Sequence, residues 1–273
     1  MPFVTPTDGT RLHYRDWGRG RPVVFSHAWP LNADAWEAQM MHLSGHGFRC
    51  VAHDRRGHGR SDQPWDGNDM DTYADDLAAV MEALDLRDAT LVGHCSGGGE
   101  VVRYLGRHGS ARVVRVVLAG AVTPLLLRTA ANPDGVPMAV YDGRRAGILA
   151  DRAQFLRGFA TLFFGAGRCG TAASEGMRDA FCARGLMSGL KAIHDGVAAS
   201  SETDFTEDLR RLAVPTLIIH GDDDQVVPIG ASAQRSAVLI RGALLKVYPG
   251  GAHALADTSR AQLNADLLAF ARS

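Results

Sequence analysis

The chain has 273 residues, of which 46% are hydrophobic and 22% charged, and its formal net charge is -1. This length suits one large α/β domain with an insertion, or about two small domains. The near-zero charge argues against nucleic acid and against anionic membrane surfaces as partners. No secretory signal and no run of about 18 apolar residues is visible, so we expect a soluble, cytoplasmic protein.

Cysteine and histidine spacing gives no support for a metal site or a cofactor. The cysteines form no C-x-x-C pair, which argues against structural zinc and against a disulfide framework. No H-E-x-x-H sequence is present either. Cys50 lies in an apolar segment and is predicted to be a small core residue. The four cysteines are Cys50, Cys95, Cys169 and Cys182.

The first half of the chain alternates strands and helices. Residues 3–5 and 11–17 are predicted to pair as a hairpin across Asp8-Gly9, a common turn dipeptide. Continuous apolar runs then predict buried strands, and 3.6-residue periodicity predicts helices between them. This order favours a parallel sheet with right-handed crossovers. The predicted strands are 23–26, 48–52, 89–92 and 113–119, and the helices are 35–43 and 71–84.

The alternation stops at residue 124 and resumes near residue 201. Prolines interrupt the start of this segment, and helical patterning with clustered phenylalanines follows. We therefore predict a core domain formed by residues 1–123 and 201–273, and a helical lid inserted at 124–200. The final part of the core is predicted to contain strands 216–220 and 243–248 and helices 231–239 and 259–271.

The sequence that follows the predicted strand 89–92 contains Gly93-x-Cys95-x-Gly97 and continues with helical periodicity. A strand, a tight turn with small residues on both sides and a helix are typical of a nucleophile elbow. The middle residue of such a turn presents its reactive atom at the N-terminus of the helix. Taken alone, a cysteine between glycines is more often a buried structural residue.

An acidic residue and a histidine follow the ends of two later strands. Ligands bind beyond the carboxyl ends of strands in an open parallel sheet, so these groups are expected to approach the elbow. The order of nucleophile, acid and histidine is the one found in α/β-hydrolase triads. His253 is the predicted base. Three adjacent aspartates leave the acid open, and the G-x-x-D spacing from Gly221 favours Asp224 over Asp222 and Asp223.

Motifs along nearly the whole chain resemble the α/β-hydrolase fold, and in detail its cofactor-free haloperoxidase and arylesterase (perhydrolase) branch. The resemblance implies an α/β fold with a mostly parallel eight-stranded sheet, helices on both faces and a helical lid. It also implies ester hydrolysis through an acyl-enzyme, with peracid formation as a side activity and no cofactor. The matching stretches are 25–36, 52–63, 67–76, 91–108, 202–209 and 220–228.

By position, the resemblance assigns the nucleophile to Cys95, the orienting acid to Asp224 and the base to His253. It places the oxyanion hole at the backbone N–H groups of Ser96 and Trp29, and the Trp29 side chain is expected to bind substrate in the acyl pocket. Such roles fit the chemistry of these residue types. The partners would be a small ester or acyl donor and a nucleophilic acceptor, and a homo-oligomer remains open.

Two residues depart from the family pattern. Cys95 stands where the branch has serine, and Ala28 stands where His-Gly-x-Pro has glycine. If the loop requires a positive φ at residue 28, alanine would strain it. A thioester passes its acyl group to amines or thiols in preference to water, so we hypothesise weak hydrolysis and improved acyl transfer. Cys95 is consistent with either a natural or an engineered replacement.

The sequence is also compared with the patterns of two other classes of protein, a nucleotide-binding module and an inactive binding protein. A nucleotide-binding module is disfavoured because residues 93–99 contain neither G-x-G-x-x-G nor a P-loop sequence. A catalytically inactive protein that binds a small molecule on the same fold gains some weight from Cys95 and Ala28. The neighbouring His94 and His27 are interpreted as a packed core residue and a loop-fixing residue, respectively.

Overall fold

The computed structural model describes residues 2–168 and 173–273, so Cys169 lies outside the described residues. Eight strands in these two ranges form one sheet. Their bounds agree with the sequence predictions to within two residues wherever a strand was predicted. The strands are β1 Phe3–Val4, β2 Leu12–Gly18, β3 Arg21–Ser26, β4 Phe48–His53, β5 Ala89–His94, β6 Val113–Ala119, β7 Thr216–Gly221 and β8 Leu244–Tyr248.

The helices lie between these strands and in the predicted lid. Short 3-10 turns at Ala33–Trp36 and Ile229–Ala231 precede α1 and α9. The helices are α1 Glu37–Ser44, α2 Met70–Ala83, α3 Ser96–His108, α4 Met138–Ala150, α5 Arg152–Phe164, α6 Glu175–Leu186, α7 Leu190–Ser201, α8 Thr206–Arg211, α9 Ala233–Leu239, α10 Leu255–Thr258 and α11 Arg260–Arg272. In the part of the chain that the structure describes, no helix is both long and apolar enough to cross a bilayer.

The sheet order is β1-β2-β4-β3-β5-β6-β7-β8. β2 pairs antiparallel with β1 and β4, whereas all pairs among β3 to β8 are parallel. The predicted α/β fold, a mostly parallel eight-stranded sheet with helices on both faces, is confirmed. The carboxyl ends of β5, β7 and β8 consequently open toward the same edge.

Two apolar clusters cover the two faces of the sheet. On one face, α1 and α11 pack through residues such as Trp36, Met40 and Leu263. On the other face, α2, α3, α8 and α9 bury a larger cluster that also includes side chains of the lid segment. Cys50 is fully buried in β4, as predicted for a core residue. Burial on both faces explains why the central strands are almost uniformly apolar.

Helices α4 to α7 occupy most of the segment that the sequence predicts to be a lid. Aromatic side chains of α5 pack toward the sheet edge rather than only within the segment. Phe159 lies edge-on to Trp29 with ring centroids 5.3 Å apart, and Phe163 lies edge-on to His253 at 4.9 Å. The segment therefore lies directly over the ends of β3 and β8.

Tight backbone packing holds the turn between β5 and α3. A Cβ added at Gly97 would lie 2.2 Å from the carbonyl oxygen of Ser26, and one at Gly93 would lie 2.3 Å from the carbonyl oxygen of Gly97. No side chain fits at such distances. In contrast, a Cβ at Gly158 in the middle of α5 would meet no atom within 4 Å.

We expect Gly97→Ala to lower the free energy of unfolding by about 1–3 kcal/mol, because β3 or α3 must shift to make room. The matched control is Gly158→Ala, which should raise it by about 0.5–1 kcal/mol through the smaller entropy of the unfolded chain. Urea unfolding of both variants measures the difference. Equal stability of the two variants would contradict the packing argument.

Candidate active site

Cys95 lies at the predicted elbow, between β5 and the first residue of α3. Its backbone has φ 55° and ψ -119°, a conformation that non-glycine residues rarely adopt. The turn is fixed because the Cys95 N–H donates to the Ala119 carbonyl and the Cys95 carbonyl accepts from the N–H groups of Gly98 and Val122. The side chain sits at the helix N-terminus and is 5% exposed.

His253 and Asp224 form a buried pair at the ends of β8 and β7. The Nδ1–H of His253 donates to Oδ2 of Asp224 at 2.6 Å. The other carboxylate oxygen, Oδ1, accepts from the N–H groups of Val226 and Val227 at 2.9 and 2.8 Å. These bonds fix the carboxylate and place a proton on Nδ1 of the imidazole. The other ring nitrogen, Nε2, points away from Asp224.

The electrostatics of the pair depend on Cys95. Burial by itself lowers the pKa of His253, but the charges of Asp224 and Cys95 outweigh it and raise that pKa to about 10. Burial raises the pKa of Asp224, whereas the two histidines beside it, His253 and His220, hold that pKa well below its usual range. Nε2 of His253 is buried and makes no hydrogen bond of good geometry within the described chain. The structure thus brings Cys95, His253 and Asp224 together.

The two neighbouring aspartates make other contacts. Asp222 accepts from the Gly250 N–H at 2.6 Å and so fixes the turn before His253. Asp223 is paired with the Arg168 guanidinium at the surface. Of the three acids left open by the sequence, Asp224 contacts the imidazole.

His94 and Phe163 hold the ring of His253 in place. Nε2–H of His94 donates to the His253 carbonyl at 2.9 Å, and the two rings lie 4.8 Å apart. Burial and the nearby charge of His253 lower the pKa of His94 to about 3, so it stays neutral. His94 is therefore a packed core residue, in agreement with its interpretation from the sequence.

The two predicted oxyanion donors, the Ser96 and Trp29 N–H groups, lie beside each other, but the Trp29 N–H already makes a hydrogen bond within the protein. Ser96 begins α3, so its N–H has no partner within the helix. The Trp29 N–H donates to the Ser96 Oγ at 2.8 Å. The Trp29 side chain donates from Nε1 to the Ile193 carbonyl at 3.0 Å, which anchors the ring at the cavity wall. Ala28 does not adopt a positive φ, so the strain considered for it does not arise.

Sequence reasoning missed a buried ion pair that joins three parts of the site. Arg55 donates from Nε and Nη2 to Glu100 of α3 at 2.9 and 2.7 Å, and from Nη2 to the His27 carbonyl at 2.9 Å. Nε2 of His27 accepts the Arg55 N–H, so His27 fixes the loop as interpreted. Burial raises the pKa of Glu100, but Arg55 and His53 outweigh it and lower that pKa to about 2. An acidic residue that stands between glycines and valines near the start of α3 is the signal that could have revealed this pair.

Cys95 lines a small inner cavity, and a larger outer cavity lies next to it. The inner cavity has a volume of about 20 Å³ and is lined by Trp29, Cys95, Tyr141 and apolar side chains. The outer cavity, between α4 and α5, has a volume of about 620 Å³. Arg144 and Phe159 line both and so form the boundary between them. Among the described residues, no cluster of three His, Cys, Asp or Glu side chains is arranged to hold a metal ion.

The chain is similar over its full length to known proteins of one family. Residues 21–259 match the model of the alpha/beta hydrolase fold family. The chain is 50% identical to a non-heme haloperoxidase of Rhodococcus erythropolis and 48% identical to a bifunctional esterase/perhydrolase of Acinetobacter calcoaceticus, each over the full length of both proteins.

A solved structure, a bromoperoxidase from Bacillus anthracis, superposes with a TM-score of 0.96 at 37% identity and covers 100% of this chain and 99% of its own. The family match spans most of the chain, and the relatives align from end to end. The chain therefore belongs to the α/β hydrolase fold family and is an enzyme of that family.

Proposed function

We propose that the protein is an ester hydrolase and acyl-transfer enzyme that works through a thioester on Cys95. The observation that carries the proposal is the buried Asp224–His253 hydrogen bond beside a cysteine in a strained elbow. The names of the relatives, which include an esterase/perhydrolase and haloperoxidases, support this substrate class. Peracid formation would be a side activity.

In the acylation step, the Cys95 sulfur attacks the ester carbonyl carbon. The thiol proton is held on Nε2 of His253 while the sulfur attacks, and the imidazolium gives that proton to the leaving alkoxide as the carbon–oxygen bond of the ester breaks. Asp224 keeps the other proton on Nδ1 and stabilises the imidazolium. Water, an amine or a thiol then attacks the thioester carbonyl and gives its proton to Nε2 of His253, and the carbon–sulfur bond breaks, so that the sulfur and the imidazolium are regenerated.

The developing oxyanion would be stabilised mainly by the Ser96 N–H at the start of α3. The Trp29 N–H already donates to the Ser96 hydroxyl oxygen at 2.8 Å, so only part of its hydrogen-bonding capacity would be available to the oxyanion. An oxyanion hole in which the Ser96 N–H is free but the Trp29 N–H is shared with a hydroxyl suits activated esters better than amides. Hydrolysis by this site is therefore expected to be weak.

Two alternative interpretations make different predictions. A serine enzyme impaired by a natural or engineered replacement would regain hydrolysis on reversal, whereas an inactive binding protein would gain nothing. The direct test is turnover of a fluorogenic aryl acetate with and without iodoacetamide. Turnover that alkylation abolishes supports the proposal, and turnover that persists after full alkylation of Cys95 contradicts it.

Cys95→Ser should raise ester hydrolysis by about tenfold or more and reduce acyl transfer to an added amine. An oxygen nucleophile fits closer to the elbow amide, and its acyl ester is less readily attacked by amines than a thioester. Product ratios from an aryl acetate in the presence of an amine acceptor measure both effects. A variant in which hydrolysis and transfer fall together would contradict this account of the sulfur.

Asp224→Asn should slow alkylation of Cys95 by iodoacetamide at pH 7 by about tenfold or more. The pKa of His253 is raised to about 10, so the imidazolium that supports a thiolate is present below that pH and is lost as the pH rises through it. Loss of the Asp224 charge removes a main cause of that increase. The rate is followed by mass spectrometry of the alkylated protein.

The matched control is Asp223→Asn, which removes a carboxylate one residue away that pairs with Arg168 at the surface. Its alkylation rate should equal that of the unmodified protein. Equal slowing in both variants would show that the effect does not act through His253, and would remove the assignment of Asp224 as the orienting acid.

Hydrogen peroxide should inactivate the protein before the protein catalyses much halide oxidation. A Cys95 thiolate attacks one peroxide oxygen, giving a sulfenic acid and hydroxide, and further peroxide carries the sulfur to an irreversible state. Esterase activity is measured after brief peroxide treatment with and without a thiol reductant. We expect loss that the reductant reverses, and resistance in Cys95→Ser; equal resistance of both proteins would contradict a reactive thiolate.

A further inference from the structure

Two hydrogen-bond donors without acceptors face the cavity that contains Cys95. The Tyr141 side chain is 1% exposed, and its hydroxyl has no partner within the described chain. Arg144 makes no hydrogen bond or ion pair with any described residue. Both residues belong to α4, and a spacing of three residues places them on the same side of the helix.

The Arg144 guanidinium is held by aromatic rings rather than by a carboxylate. Its Cζ lies 5.2 Å from the ring centroid of Tyr141 and 5.2 Å from that of Phe159. Such contacts position a cation but leave its N–H groups free to bind an anion. Burial lowers the pKa of Arg144, an effect that the neighbouring Tyr141 and Cys95 partly oppose.

The residues around Arg144 offer it no carboxylate, so an anion that pairs with it would have to come from the substrate. Arg144 is the one charged side chain among the described residues that line the inner cavity, where the other side chains are mostly apolar. The outer cavity contains Asp151, but its carboxylate caps α5 by accepting the Gln154 N–H at 2.9 Å. The Arg144 side chain is partly exposed at the boundary of this apolar cavity, and no carboxylate of the described chain neutralises it, so an anionic group of a ligand would meet an unpaired cation there.

We propose that Tyr141 and Arg144 form a carboxylate-binding subsite, so that the preferred acyl donors are esters or lactones that bear a free carboxylate. The guanidinium offers the fork of donors that matches a carboxylate, and the Tyr141 hydroxyl adds a third donor. Burial raises the pKa of Tyr141 to about 12, so the hydroxyl keeps its proton at neutral pH. The inference rests on the proposed acyl-enzyme function, because it concerns the substrate of the same site.

The test compares the phenyl half-esters of glutaric and adipic acid with the phenyl esters of the corresponding monoamides, which have the same size without the charge. The quantity measured is the ratio of kcat/KM for the anionic ester to that for the amide ester, after subtraction of the uncatalysed rate. The unmodified protein should favour the anionic ester. R144Q should lower the ratio by about tenfold or more, because the anionic ester loses a charge-assisted contact whereas the amide ester loses at most neutral hydrogen bonds.

Three further variants separate a subsite from a structural effect. R144K should keep part of the preference, because it keeps the charge, and Tyr141→Phe should lose part of it, because it removes only the hydroxyl. R145Q is the matched control, since Arg145 is paired with Asp142 and Glu202 and does not line the inner cavity. Its ratio should not change. If R144Q does not fold, R144K and Tyr141→Phe decide the question.

Two results would overturn the inference while leaving the proposed function intact. One is an unchanged ratio in R144Q. The other is an equal loss of kcat/KM on both esters, which would indicate that Arg144 acts on the charge of Cys95 and does not bind the substrate carboxylate.

If no protein turns over either ester, the proposed function fails. The subsite is then judged by calorimetric binding of glutarate and adipate to the unmodified protein and to R144Q. Weaker binding to R144Q supports it, and equal or absent binding to both proteins overturns it.

Discussion

The close approach of backbone at the β5–α3 turn is the constraint on which the site depends. Gly97 lies against the Ser26 carbonyl, and Gly93 lies against the Gly97 carbonyl, so neither position accepts a side chain. The chain must turn within one residue, and Cys95 takes up the bend at φ 55°. This strain is supported by the buried strands on either side. The result is a sulfur fixed at a helix N-terminus and exposed to one narrow cavity.

A buried ion pair extends this constraint to the loop after β3. Arg55 and Glu100 are both buried, and their donors and acceptors are shared with His27, His53 and Ser26. Burying two charges is costly, but a fully bonded pair becomes a rigid connection, because removal of one partner leaves the other charge unpaired, at a cost of about 3–5 kcal/mol. The pair joins α3, the loop of Trp29 and the turn after β4. It thereby fixes the loop and the helix that carry the Trp29 and Ser96 amides, the proposed oxyanion donors.

Much of the fold could be predicted because the evidence for it is local. Buried parallel strands such as Val113–Ala119 are continuous apolar runs, and the residues that end β5, β7 and β8 must meet at one edge. That geometry is why Cys95, Asp224 and His253 could be grouped without coordinates. A four-residue helix such as Leu255–Thr258 has too little periodicity to be recognised.

What could not be predicted depends on contacts between distant segments. The Ser96 hydroxyl takes up the Trp29 N–H, 67 residues away in sequence, and no local pattern reveals this contact. The φ of Ala28 is likewise decided by the loop around it. Tyr141 and Arg144 carry no motif, and their importance follows only from how α4 and α5 pack over the cavity. Local patterns therefore indicate the candidate reacting groups, whereas the proposed substrate subsite can be found only from tertiary packing.

The central claim is that the acyl group is carried by sulfur at residue 95. Its most direct test is peptide mapping of the unmodified protein after brief reaction with an aryl acetate and acid quenching. The account predicts one acetyl group on the peptide that contains Cys95, and its release by hydroxylamine, as expected for a thioester. An acetyl group on any other residue, or turnover with no acylated peptide at any time, would contradict it.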